Sequence, residues 1–143
     1  MTDSILDILN KVQEPQNQNK NSKVLIIDGL NLFLRTFSVN GSLNDLGVPV
    51  GGLIGFLKSL AYTIRTITPT RVIIVFDGAG GSYRRRKLFP EYKANRKPSK
   101  RITRWDAFNS IKDEKAAMKA QFSRLLEYLD CLPLDVITMN NIE

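Results

Sequence analysis

Lys23-Val24-Leu25-Ile26-Ile27-Asp28-Gly29 and Arg71-Val72-Ile73-Ile74-Val75-Phe76-Asp77-Gly78 are two short apolar runs, and each ends in Asp-Gly. Runs this short and this apolar predict strands buried in a parallel sheet, with Asp-Gly marking where the chain leaves it. Leu30 to Phe37 predicts a helix directly after the first strand. Leu53, Ile54, Phe56, Leu57, Leu60, Ala61, Ile64 and Ile67 then recur at helical spacing, which predicts a longer one. Strand, helix and strand at this interval form the pattern of a parallel sheet with crossover helices. Met118, Phe122, Leu125, Leu126 and Leu129 stripe a further helix, and Leu134 to Thr138 predicts a third strand. The fold class is α/β, a parallel sheet with flanking helices. Residues 1–22, with a short apolar stripe from Ile5 to Val12 and a polar stretch after Glu14, read as an appendage to a domain spanning 23–143.

Composition narrows the chemistry. The chain has 143 residues, 43% hydrophobic and 24% charged, enough for one domain with a core. It contains no histidine, which removes Ser-His-Asp and Cys-His nucleophiles, histidine-bound zinc and imidazole acid-base work. A single cysteine, Cys131, excludes an internal disulfide and a cysteine metal cluster, and is expected to sit in the core as a small hydrophobe. No apolar run approaches the roughly 20 residues of a membrane span, and no signal peptide is evident at the N-terminus, so an intracellular protein is expected. What remains for catalysis is carboxylate, lysine or metal-bound water.

The charge is uneven. Lys+Arg number 21 and Asp+Glu 14, for a net +7. Between Arg84 and Arg104 stand ten basic residues (Arg84, Arg85, Arg86, Lys87, Lys93, Arg96, Lys97, Lys100, Arg101 and Arg104) and one acid, Glu91. The rest of the chain is therefore slightly acidic, and Pro90 and Pro98 argue against one continuous helix through the basic stretch. Tyr83, Phe89, Tyr92 and Trp105 punctuate these charges, a mixture suited to tracking phosphates while aromatic faces stack on single-stranded bases. A solvated charged loop would have the same composition.

Adjacent parallel strands present their C-terminal ends on one edge, where open α/β sheets bind ligands, so Asp28 and Asp77 are expected to converge. Carboxylates converging without histidine suit Mg²⁺ or Mn²⁺, which keep waters and bind phosphate oxygens. Two such ions about 3.5–4 Å apart can activate water and stabilise the leaving oxygen of a phosphodiester. Asp-Gly after a strand also makes a plain turn, and the residues taken alone leave both readings open.

Val24 to Phe37 (VLIIDGLNLFLRTF), Gly47 to Leu60 (GVPVGGLIGFLKSL), Val72 to Asp77 (VIIVFD) and Tyr83 to Arg96 (YRRRKLFPEYKANR) resemble, in order, successive blocks of the 5′-nuclease or flap-endonuclease family. That family includes the nuclease domain of bacterial DNA polymerase I and the phage 5′ to 3′ exonucleases, including phage RNase H; the wording here is most similar to the phage enzymes. The resemblance implies a structure-specific nuclease that uses Mg²⁺ (or Mn²⁺) on DNA with a 5′ flap or 5′ single-stranded end, or on an RNA/DNA hybrid. It implies metal-site roles for Asp28 and Asp77, and contact with the scissile phosphate for Lys93 and Arg96. Arg84, Arg85, Arg86, Tyr92, Lys97, Lys100 and Arg101 fall to nucleic-acid binding. Residues 83–115 would form the arch region, with Lys100 to Lys115 as a helical gateway for a 5′ single strand. Arg35 also matches a family position, where a buried structural pairing and a catalytic role are both open.

In the family the third strand leads into a block of the form Glu-Ala-Asp-Asp, and Glu143 matches its first letter and is expected to be a third metal ligand. The other acids would come from a C-terminal half or a second polypeptide. The competing readings are an inactive DNA-binding or assembly subunit or truncated product, and a small PIN-type ribonuclease, which would leave the Tyr92-Lys93…Arg96 block unexplained. A sheet ending at its third strand is also expected to leave helix faces such as Phe56, Leu60 and Ile64 in want of cover. A bacterial or phage-infected cytoplasm is the implied location.

Overall fold

The structure, a computed structural model, describes residues 19–78, 83–94, 101–106 and 108–139. In chain order the elements are β1 (Val24–Asp28), α1 (Gly29–Val39), α2 (Gly51–Ile67), β2 (Arg71–Asp77), α3 (Tyr83–Leu88), α4 (Ile111–Asp130) and β3 (Asp135–Met139). The strands form one parallel sheet in the order β1-β2-β3. Ile26 pairs with Ile73 and Ile73 with Asp135; Asp28 pairs with Val75 and Val75 with Ile137.

One face of the sheet carries Ile74 and Phe76, and against it pack α1, α2 and α4. The core is aromatic. Phe76 meets Phe122 edge-on at 5.3 Å, Phe122 meets Phe33 at 5.1 Å, and Phe33 and Phe37 lead on to Phe108. Phe56 and Leu60 are 0% and 3% exposed, so the α2 face expected to lack cover is closed by the domain's own core. On the opposite sheet face, Ile26 is 66% exposed and Val24 39%; among the described residues no helix lies there.

Two helix starts depend on unusual contacts. Gly29 opens α1 directly from β1, and a Cβ there would lie 2.5 Å from the Phe76 ring and 2.8 Å from Ile74. No loop intervenes, because glycine lets the helix start against β2. α2 has no side-chain cap from its own N-cap residue, Val50. Gln121 of α4 serves instead, its Oε1 accepting from Gly52 N at 2.9 Å and Leu53 N at 3.2 Å.

Some sequence expectations change. Cys131 is exposed at the end of α4 rather than buried, because the helix has turned its last apolar side chain, Leu129, into the core. Trp105 is no free stacking face: it packs on Phe108 at 5.3 Å and its indole N–H reaches Phe37 O. The gateway expected over Lys100 to Lys115 falls partly outside the described residues, and where described it is not a separate helical bridge. Residues 101–106 are non-helical, and Ile111 to Lys115 are the first turns of α4, started by Ser110 capping Asp113 N. Residues 1–18 of the expected appendage lie outside the described residues, whereas Lys20 O accepts from the Thr70 hydroxyl at 2.9 Å.

Glu114 explains why residues 101–106 lie down. It is 1% exposed, and its carboxylate accepts from Ile102 N and from the Thr103 hydroxyl, each at 2.7 Å. Arg104 N–H donates to Ser38 O at 2.8 Å and fastens the same segment to α1. Burial pushes the Glu114 carboxyl up, but these hydrogen bonds and the Arg101 charge outweigh it and leave the group below its ordinary value of 4.5. A carboxyl depressed in the fold stabilises it above the unfolded value and ceases to as pH falls through the folded one. Glu114→Gln is therefore expected to cost about 1–3 kcal/mol at neutral pH. Its melting temperature should also fall less steeply than the parent's on acidification below pH 4.5, as thermal unfolding across a pH series will show.

Candidate active site

β1 and β2 end unevenly. Asp28 is level with Val75, so Asp77 lies two residues further on, and alternation puts both on one face of the sheet. Strand rise and spacing place their Cα atoms about 8 Å apart. Both line a cavity of about 490 Å³, with Leu30, Asn31, Leu34, Arg35, Ser38, Lys93 and Ile102.

Asp28 has two duties. It is the N-cap of α1, with Oδ1 accepting from Asn31 N at 2.9 Å, and that leaves Oδ2 without a protein partner among the described residues. The Asp-Gly pair is thus a helix cap rather than a simple turn. Asp77 forms no hydrogen bond or ion pair within the described residues. Asn31, Leu34, Arg35 and Ser38 recur at helical spacing and present one face of α1 to the cavity, while Phe33 and Phe37 occupy the opposite, buried face.

Lys93 arrives from the basic stretch. Pro90 cannot continue α3, which stops at Leu88; Tyr92 N bonds Phe89 O at 3.0 Å and Ala94 N bonds Glu91 O at 3.0 Å. These turns hold Lys93 at φ 60°, a left-handed conformation that a non-glycine residue adopts at a cost of roughly 1–2 kcal/mol. Lys93 Nζ sits 4.8 Å from the centre of the Tyr92 ring, and Arg85 donates to the Tyr92 hydroxyl at 2.5 Å. Hydrogen bonding to Lys93, ahead of the opposing push of burial and reinforced by Arg85, holds the Tyr92 phenol below its ordinary 10.0.

The structure thus brings Asp28, Asp77 and Lys93 to one cavity and links Arg85 and Tyr92 to it through Lys93. Arg86 is exposed on α3, and Arg84 lies in the same helix. Arg101 does not line the cavity; its guanidinium donates to Phe108 O at 2.6 Å and pairs with Asp106 at 3.5 Å. Arg96, Lys97, Lys100 and Glu143 lie outside the described residues. Arg35 is exposed on the cavity wall rather than in a buried pair. Sequence patterns do not single out Asn31, Ser38 or Ile102. The first two were findable from the helical spacing after Asp28, whereas Ile102 is brought in by Glu114, a contact no local pattern encodes.

Two carboxylates on a sheet edge, with lysine and arginine beside them and neither histidine nor cysteine, form a hard, oxygen-donating, anion-tolerant site. Among the described residues no group of three such ligands occurs. Residues 23–143 match the family of the 5′-3′ exonuclease N-terminal, resolvase-like domain. The chain is similar to a 5′-3′ exonuclease of Bacillus subtilis (strain 168), 36% identical over 119 residues that cover 78% of this chain and 40% of that protein. It is also similar to flap endonuclease Xni of Shewanella sp. (strain MR-4), 34% identical over 118 residues, 81% of this chain and 37% of that one. Among solved structures, T5 D15 protein co-crystallised with metal ions aligns with a TM-score of 0.48 at 19% identity, over 84% of this chain and 40% of that chain. The chain spans about 40% of the length of these curated relatives. With its matched blocks running from Lys23 through β3, the chain belongs to the 5′-3′ exonuclease family and carries that family's N-terminal resolvase-like domain.

Proposed function

We propose that this chain supplies the 5′-end-binding, metal-holding half of a structure-specific 5′ to 3′ exonuclease or flap endonuclease acting on DNA, or on RNA primers paired to it, in a bacterial or phage-infected cytoplasm. The observation that carries the reading is the meeting of Asp28, Asp77 and Lys93 in one cavity at the C-terminal edge of the sheet. The free carboxylate oxygens fit Mg²⁺ or Mn²⁺, which bind through one or two carboxylates together with substrate phosphate. Asp28 and Asp77 would hold the metal directly or through waters, with Glu143 added from beyond β3. Bound there, two such ions would supply an activated water and neutralise charge at the phosphodiester. Lys93, held by Tyr92, neutralises a non-bridging phosphate oxygen, and Arg96 is assigned the same task. Arg84, Arg85, Arg86, Lys97, Lys100 and Arg101 carry the strand by its phosphates.

The exposed sheet face at Val24 and Ile26 supports a need for further chain. Parallel sheets are normally covered on both faces, so on this reading the remaining acids and the cover for this face come together, from the same polypeptide or a second one. The two-carboxylate site supports the other reading as well, a DNA-binding or assembly subunit without chemistry of its own. The two diverge in a single assay, Mg²⁺-dependent cleavage of a 5′ flap by the chain alone and by the chain joined to its acidic complement. The nuclease reading expects weak or no cleavage alone and robust cleavage when complemented.

In the complemented enzyme Asp28→Asn and Asp77→Asn, nearly isosteric, are each expected to lower the cleavage rate by at least about a hundredfold while DNA binding in the absence of metal holds or tightens. Normal cleavage by both variants, read by gel assay on a labelled flap, would return these aspartates to a capping and turn role.

Binding should also be salt-sensitive and tolerant of sequence. Neutralising Lys93, Arg96, Lys100 and Arg101 together is expected to reduce the slope of log affinity against log salt by about three to four, measured by fluorescence anisotropy.

A further inference from the structure

A second cavity, of about 440 Å³, lies against the first and shares two wall residues with it, Arg35 and Ser38. Its other lining includes Leu32, Val39, Ser59 and Arg104. Two guanidinium-bearing residues therefore line one recess, and among the described residues no acid lines it and neither Arg35 nor Arg104 is ion-paired.

The recess is built. Arg104 is placed by its own backbone, since its N–H donates to Ser38 O at 2.8 Å while Glu114 holds the two residues before it through Ile102 N and Thr103 Oγ1. Arg35 comes from α1 itself, one helical turn before Val39 and three residues before the Ser38 that holds Arg104. The hydroxyl of Ser59, half-buried on α2, has no partner among the described residues, whereas Thr36 and Ser38 spend theirs on backbone carbonyls. Leu32 and Val39 supply apolar surface. A planar cationic fork, a free hydroxyl and an apolar wall suit a phosphodiester with its sugar, the sequence-blind contact by which proteins fix nucleic acid in register.

We propose that this recess is a second phosphate site, binding the backbone of the same nucleic acid at a phosphate beyond the one in the first cavity, with Arg104 and Ser59 as its contacts and Arg35 as the bridge between the two. This rests on the nucleic-acid reading above, although it does not require that the chain cut. A free mononucleotide offers the same phosphate chemistry; continuity with the first cavity favours a polymer that occupies both.

The test is anisotropy titration in EDTA, where no cleavage occurs, with a fluorescent 5′-flap duplex and a fluorescent nucleoside monophosphate as probes. Arg104→Gln, which keeps the backbone bond to Ser38, is expected to weaken flap-duplex binding about fivefold to tenfold at low salt and to reduce the salt slope by about one. Ser59→Asp should weaken it at least as much by placing an anion in the recess, and Arg104→Lys should retain the slope. Binding of the nucleoside monophosphate should be unchanged in all three. Unaltered flap-duplex affinity and slope in both Arg104→Gln and Ser59→Asp, with unchanged melting temperatures, would overturn the site. Equal losses for the two probes would overturn its assignment to a polymer backbone and make it a nucleotide pocket. Because Asp28 and Asp77 are untouched and metal is absent, failure here is separable from failure of the nuclease reading, which shows as cleavage surviving Asp28→Asn and Asp77→Asn.

Discussion

At residue 29 the chain passes from strand to helix with no loop, and it can do so only because nothing projects from that Cα towards Phe76 and Ile74. This contact fixes both halves of the molecule. On the buried side it seats α1 against β2, so that Phe33 and Phe37 enter the aromatic stack running to Phe122 and Phe108. On the open side it makes the residue before the glycine the N-cap of α1 and leaves it at the sheet edge facing the same cavity as Asp77. Any side chain at 29 would have to lift the helix, and the lift would open the core and move the cap carboxylate together. Core packing and site geometry are thus one constraint.

The basic stretch shows a second kind of coupling. A run this charged would ordinarily be solvated, yet the described part before residues 95–100 is ordered by its own contacts and the part after them is fastened to the body. Upstream, the turns after Pro90 strain Lys93 into the left-handed region and set it beside Tyr92. Downstream, Glu114 takes both hydrogen bonds of one carboxylate to the backbone of Ile102 and the hydroxyl of Thr103, while Trp105 closes over Phe108. A buried carboxylate is costly unless its oxygens are satisfied, and here satisfying them is what aligns the segment. One acid buried in α4 therefore sets the backbone between Arg101 and Arg104.

What was legible in the sequence was what local pattern encodes. β1, β2, α2 and α4 follow from apolar periodicity, and Asp28 and Asp77 from their place at the ends of parallel strands. What was not legible required knowing which elements touch. Trp105 sits among cations and reads as a stacking face, but its indole is claimed by Phe37 O. Cys131 reads as core, but it falls just after Leu129, where the helix has ended and the chain turns outward. Phe56 and Leu60 read as wanting a partner because α2 is not locally distinguishable from a surface helix; Gln121, far along the chain, caps its start and brings α4 over it. Ile102 has no polar signature at all and reaches the cavity through Glu114.

The cavity's charges bear on how substrate and cation would meet on the nuclease reading. Asp28 and Asp77 share one space with Lys93 and Arg35, so among the described residues the lining is formally balanced. Cations alone would bring uncompensated positive charge beside Lys93 and Arg35, and phosphate alone would bring negative charge beside two carboxylates. Together they compensate each other, so each should raise the affinity for the other by the same factor, as linkage requires. A balanced lining thus favours holding metal tightly when a phosphodiester is present and weakly when it is not. A third acid beside Asp28 and Asp77, in the place assigned to Glu143, would shift that balance towards the cations and loosen the coupling, so the number of acids sets how far metal occupancy depends on substrate.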